Sequence, residues 1–119
     1  MTAEDERRAR DALLDLPGVE RVLWSGPELE SGGSGRPTVV DDRARVWMRL
    51  LAATAAQMSA ELGHGPPRLL TMSYDDRVVA LAVDHRGTIV AVISSDPSAV
   101  GLAMVKLRRW LTIRLRSEE

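Results

Sequence analysis

The stretch SGGSGRPTVVDD, residues 31 to 42, concentrates the residue types that could cradle a phosphate: Gly32, Gly33 and Gly35 precede a proline and an acidic pair. Glycine-rich loops bind phosphates by presenting backbone N–H groups at a helix N-terminus. A P-loop also needs GxxxxGK[ST], whose lysine reaches the terminal phosphates. The one lysine of this chain is Lys106, far along the sequence. A dinucleotide fingerprint needs a third glycine after Gly33 and Gly35, opening directly into a helix. Thr38 stands at that position, and Arg36-Pro37 and the residues after them delay the helix. The stretch therefore reads as a connector.

The other candidate groups have structural explanations. His64 and His85 each sit alone in a turn context and are expected to face solvent. Asp75-Asp76 suits a turn, and Asp41 or Asp42 suits the cap of a helix starting at Arg43. Ser94-Ser95-Asp96 reads as the cap of the last helix. The absence of Cys excludes disulfides, thiolate chemistry and Cys-ligated metals. No nucleophile, base and orienting group can be assembled. The expectation is a protein that is not an enzyme, with no catalytic residue, cofactor or metal.

The 119 residues suit one domain spanning 1–119, which would bury roughly two-thirds of the surface its unfolded chain exposes. Hydrophobic residues at 45% and charged residues at 28% describe a globular chain rather than a disordered one. Sixteen cations against seventeen anions leave a net charge of -1, without the basic field of a nucleic-acid binder. Trp24, Trp47, Trp110 and Tyr74 are too few for a row of base-stacking platforms. All but one of the sixteen cations are Arg, which, with the many alanines, fits a GC-rich bacterial genome. The opening MTAEDERRAR lacks the apolar core of a signal peptide. No uncharged apolar run nears the ~18 residues of a membrane span. A cytoplasmic location follows as the expectation.

The elements that must position any site follow from periodicity. Residues 3 to 15 carry Ala9, Ala12, Leu13 and Leu16 at helical spacing, stopped by Pro17-Gly18. VERVLWS (19 to 25) is strand-like, and ELES (28 to 31) is a short candidate second strand. A long helix runs from Arg43 to about Leu62, ended by Gly63 and Gly65-Pro66-Pro67. RLLTMSY (68 to 74), RVVALAVD (77 to 84) and TIVAVISS (88 to 95) form a meander of strands with short connections. Asp96-Pro97 then caps a last helix to about Arg116. VVALAV and TIVAVI are apolar at every position, so both faces of the central strands are expected to be covered.

On the long helix, Trp47, Leu51, Met58 and Leu62 share one face, expected to be core. The opposite side carries Ala52, Ala56 and Ala60 at i, i+4, a shallow groove that another helix can approach closely. Alanine also simply favours helix; an apolar surface nearly all round favours the partner helix. The last helix combines Lys106, Arg108, Arg109, Arg114 and Arg116, with Trp110 as a conceivable interfacial anchor and Val100, Met104, Leu107 and Leu111 as its core stripe. Peripheral membrane or nucleic-acid binding through this helix is the alternative reading, with nucleic acid not expected and membrane the lesser expectation.

LLDLPGVERVLW, DDRARVWMRLLAATAAQMSAELGHGPPRLLTMSYDDRVVALAV and GTIVAVISSDPSAVGLAMVKLRRWL, in this element order, resemble the Roadblock/dynein light chain family, most closely its bacterial MglB-like branch. The features carrying the resemblance are PGV before the first strand, the long Ala-rich helix, and an apolar strand ending in a helix cap followed by Gly101-Leu102. The chain departs from the pattern where Gly26-Pro27-Glu28-Leu29-Glu30 and the glycine stretch replace the usual first hairpin. The resemblance implies a three-layer α/β/α sandwich around a five-stranded antiparallel sheet. It also implies a homodimer made through the third strands and second helices, giving Arg68, Leu70, Met72 and Tyr74 with Ala52, Ala56 and Ala60 as interface residues. The implied function is a non-enzymatic regulator, scaffold or activating partner of a small Ras-like GTPase, with Arg43, Arg45 and Arg49 as candidate GTPase contacts. Such regulators insert no arginine finger, so Arg45 and Arg49 are not given that role.

Overall fold

The computed structural model describes residues 3–26, 32–33 and 39–116. Its elements are α1 (Ala3–Leu14), β1 (Val19–Ser25), β2 (Gly32–Gly33), α2 (Val39–Glu61), β3 (Leu69–Ser73), β4 (Val78–Val83), β5 (Ile89–Ser94) and α3 (Val100–Arg116). The strands form one antiparallel sheet in the order β2-β1-β5-β4-β3. Helices lie on both faces, giving the three-layer α/β/α sandwich expected from the doubly apolar central strands.

Because side chains alternate across a strand, the sheet divides its apolar residues between two cores. Val22, Ala80, Ala82, Val90 and Val92 meet Leu13 of α1 and Ala103, Leu107 and Trp110 of α3. Leu23, Leu81, Ile89 and Ala91 face the other way, toward Met48 of α2. Trp110 is 0% exposed, which corrects its suggested role as an interfacial anchor. The buried row of α3 is Ala103, Leu107, Trp110 and Arg114, while Met104 and Leu111 sit at its margin. This is the expected stripe rotated by part of a turn, because the large indole fills the centre of the layer between α3 and the sheet.

The PGV turn has a specific geometric task. Gly18 has φ +82, and a Cβ there would lie 2.7 Å from Cβ of Asp96. Its carbonyl accepts from Ser94 Oγ at 2.9 Å and from Ser95 N at 3.1 Å. The start of β1 is thereby knitted to the cap before α3, where the Asp96 side chain accepts from Ser98 N at 2.9 Å. One 3-10 turn, Pro97–Ala99, intervenes before the α-helix proper.

Two expectations change at the glycine stretch. Gly32 and Gly33 are not slack: they pair with Trp24 and Leu23 as β2. A Cβ on Gly33 would meet Leu23 Cδ2 at 2.6 Å and the Val22 carbonyl oxygen at 3.1 Å, so a side chain there would have to displace the end of Leu23. The ELES segment lies outside the described residues. In addition, α2 begins at Val39 rather than Arg43, so Asp41 and Asp42 occupy its first turn. There their charges complement the positive end of the helix rather than cap it.

Candidate functional site

The described residues place no catalytic constellation around the groups singled out from sequence. His64, His85, Asp75 and Asp76 are exposed in connections. Asp76 pairs with Arg77 at 2.9 Å, and Glu20 accepts from Arg77 at 3.1 Å, which raises the Arg77 pKa further. Among the described residues no group of His, Asp or Glu could hold a metal ion. No described helix is long and apolar enough to cross a membrane. The distinctive surface is apolar and belongs to α2.

Two polar contacts hold α2 over β1, and a third braces the start of α2 from within. Arg21 Nη2 donates to Asp41 Oδ2 at 2.6 Å, Arg45 Nη1 donates to Asp42 Oδ1 at 3.0 Å, and Arg49 Nε donates to the buried Ser25 Oγ at 3.0 Å. Arg45, a candidate GTPase contact from the resemblance and so expected at the surface, is only 6% exposed. Its guanidinium lies beside the space that Gly33 leaves free of a side chain. Arg43 and Arg49 remain exposed. The sequence held no sign of the Arg45 burial, because the pairing that covers it comes from β2.

These contacts fix the rotation of α2, and with it the fate of each face. Ala44, Met48, Leu51 and Ala52 pack toward the sheet, and Ala55 is buried; small side chains there let the helix sit close. The stripe expected to be core is turned sideways: Trp47 is 69% and Met58 59% exposed, and Leu62 is exposed too. Val40, Val46 and Leu50 add to this outward apolar surface. The helix is indeed apolar nearly all round, but it is rotated from the expected setting: of the stripe expected to be core only Leu51 packs inward, and along the alanine stripe Ala52 packs inward while Ala60 is exposed. Ala52 and Ala56 continue the flank of Arg45 and Arg49 about two turns further along. That flank looks toward β1, whereas Trp47 looks toward β3 and β4.

On the Trp47 side α2 leaves the sheet uncovered. An open apolar groove of 470 Å³ runs between Trp47, Met48 and Leu51 on the helix and Met72, Tyr74, Val79, Leu81 and Ile93 on the strands. Leu70, facing the same way, is only partly buried. β3 is also an edge strand, at the opposite end of the sheet from β2. Exposed tryptophan, methionine and tyrosine thus lie beside an edge strand, a combination that in soluble proteins marks candidate interaction surfaces.

A second cluster, unforeseen from sequence, is structural. Asp84 closes the β4–β5 hairpin by accepting from Thr88 N at 2.8 Å and Arg86 N at 2.9 Å. Its other oxygen accepts from Arg114 Nε at 2.8 Å, with both side chains at least 95% buried. Arg114, counted from sequence among the surface cations of α3, is thus a clamp holding the end of that helix to the hairpin. An Asp at a strand end and an Arg a helix away carry no local sign of this meeting.

No protein-family model matches the chain, and no curated protein sequence matches it. Solved structures do. Myxococcus xanthus MglB superposes with a TM-score of 0.72 over 98% of this chain and 99% of that one, at 14% identity. The gliding protein MglB of Thermus thermophilus gives 0.69 over 100% and 95%, at 15% identity. A Roadblock/LC7 domain from Streptomyces avermitilis gives 0.70 over 92% and 96%, at 16% identity. With an α/β/α sandwich around a five-stranded antiparallel sheet matching these structures over nearly its whole length, the chain has the Roadblock/LC7 fold in its MglB-like form.

Proposed function

We propose that the protein is a cytoplasmic, single-domain, non-enzymatic homodimer that regulates or scaffolds a small Ras-like GTPase. One observation carries the reading: α2 leaves the β3–β4 half of its sheet face open, with Trp47 and Met58 exposed beside it. A second copy would close that face. Its β3 would pair with this β3 about a two-fold axis, bringing Arg68, Leu70, Met72 and Tyr74 to the junction. Its α2 would then cover the groove beside Trp47. Ala52, Ala56 and Ala60, expected at the axis, lie on the β1 flank of α2, so the proposed axis passes nearer Trp47 and Met58.

The GTPase class comes from the resemblance in the sequence, which the shared fold supports. A regulator must favour one switch conformation over the other, and two paired helices offer a rigid platform for that. Arg43 and Arg49 are the exposed cations suited to two-point contacts with switch carboxylates. Arg45 would act from within, holding Asp42.

Light scattering should give twice the chain mass at micromolar concentration; a monomeric wild type would sink the dimer. The purified chain should bind no GTP by calorimetry, whereas a small Ras-like GTPase of the same organism, chosen by its P-loop, should bind the chain. Arg43→Glu with Arg49→Glu should abolish that binding and leave the dimer intact. Undiminished binding by this variant overturns the arginine assignment, and tight GTP binding by the chain alone overturns the functional class.

A further inference from the structure

The outward face of α3 has a composition that neither the core nor the proposed dimer uses. From Val100 to Arg116 the helix contains no carboxylate. Burial of Trp110 and Arg114 removes those two residues from the surface. Arg108, Arg109 and Arg116 remain exposed, and Lys106 is partly so. Interleaved with them are Leu102, Val105 and Leu115, each more than half exposed.

We propose that this face docks the protein on an anionic lipid surface. Leu102, Val105 and Leu115 are spread over ~20 Å of helix, without the clustered anchor of a protein hot spot. Of the grooves beside α3, the one against α1 mixes Asp5 with Arg8, Lys106 and Arg109, and the one lined by Leu115 sets Asp84 and His85 beside Arg68, so neither offers an acidic peptide a purely cationic cleft. A bilayer interface, by contrast, accepts dispersed aliphatic side chains at the level of the head groups. Arginine stems can lie along that boundary while their guanidinium groups reach lipid phosphates. The inference is independent of the GTPase and dimer readings, because α3 and α2 occupy opposite faces of the sheet.

The test is co-sedimentation of the full chain with vesicles of phosphatidylcholine containing about 30% phosphatidylglycerol, against phosphatidylcholine alone. The chain should pellet with the anionic vesicles in about 50 mM KCl, stay in solution with the neutral ones, and be released by about 500 mM KCl. Arg108→Gln with Arg109→Gln should lower the partition coefficient about 25-fold, at about fivefold per cation removed. Val105→Ser with Leu115→Ser should lower it severalfold while keeping the salt dependence. All four side chains are exposed, so melting curves should match the wild type. No pelleting with anionic vesicles at low salt overturns the proposal. So does equal pelleting of the double Gln variant, or binding to soluble heparin without binding to vesicles, which would point to an acidic macromolecule.

Discussion

The two faces of the sheet are built to different degrees of completion. On one, α1 and α3 together close over Val22, Ala80, Ala82, Val90 and Val92, with Leu13, Leu107 and Trp110 wholly buried. On the other, α2 alone covers β1 and β5, and the strands beyond them keep an open apolar groove. The contrast separates two uses of the same residue types. Aliphatic and aromatic side chains on the closed face stabilise the fold of one copy, whereas on the open face Trp47 and Met58 stay in solvent beside a smaller buried cluster.

The largest effect should come from the closed face. Asp84→Ala leaves the Arg114 guanidinium buried without its counter-charge and should cost about 3–5 kcal/mol in urea unfolding. Adding Arg114→Met should recover much of that loss, since an apolar replacement of both partners removes the uncompensated charge. A loss under about 1 kcal/mol for the single variant would mean that this end of α3 is not closed as described.

The open face should respond in the opposite manner. Trp47→Glu should change the stability of an isolated copy by no more than about 0.5 kcal/mol, because the side chain stands in solvent. It should nevertheless convert a dimer into a monomer by light scattering. The wild-type melting temperature should rise with protein concentration, and that dependence should vanish in the variant. If Trp47→Glu instead unfolds the chain at every concentration, the side chain belongs to the core and the contrast between faces fails.

Two smaller effects sharpen the picture at the seams. Ser25→Ala removes the hydroxyl that accepts from Arg49 and should lower stability by about 1 kcal/mol, loosening the seat of α2 on β1. Asp96 caps the turn before α3, and hydrogen bonds from the Ser98 hydroxyl and then its backbone N–H lower its pKa below the ordinary 3.8. Its contribution is therefore fully present above pH 3.8 and is lost as pH falls through the lowered folded value. The melting-temperature difference between wild type and Asp96→Asn should be greatest near neutrality and disappear in strong acid.

The sequence by itself determined the element order and the two-sided sheet. Unbroken apolar runs at VVALAV and TIVAVI demand cover on both faces; β5 meets that demand nearly throughout, while β4 leaves Val79 and Val83 partly exposed where α2 does not reach. The Pro17-Gly18 stop, the Asp96-Pro97 cap and the β3–β4–β5 connections were equally legible, because each depends on a few neighbouring residues. The apolar circumference of α2 was legible too. What only the tertiary structure decided is which side of α2 faces inward. Periodicity groups Trp47, Leu51, Met58 and Leu62 but cannot orient the group, since orientation depends on Arg21, Ser25 and Gly33, distant in sequence. The same distance hides the Asp84–Arg114 pair and the pairing of Gly32 and Gly33 with β1. Local patterns choose helices, strands and caps through short-range sterics and hydrogen bonds; the rotation of a helix on a sheet is set by long-range contacts that a linear sequence does not display.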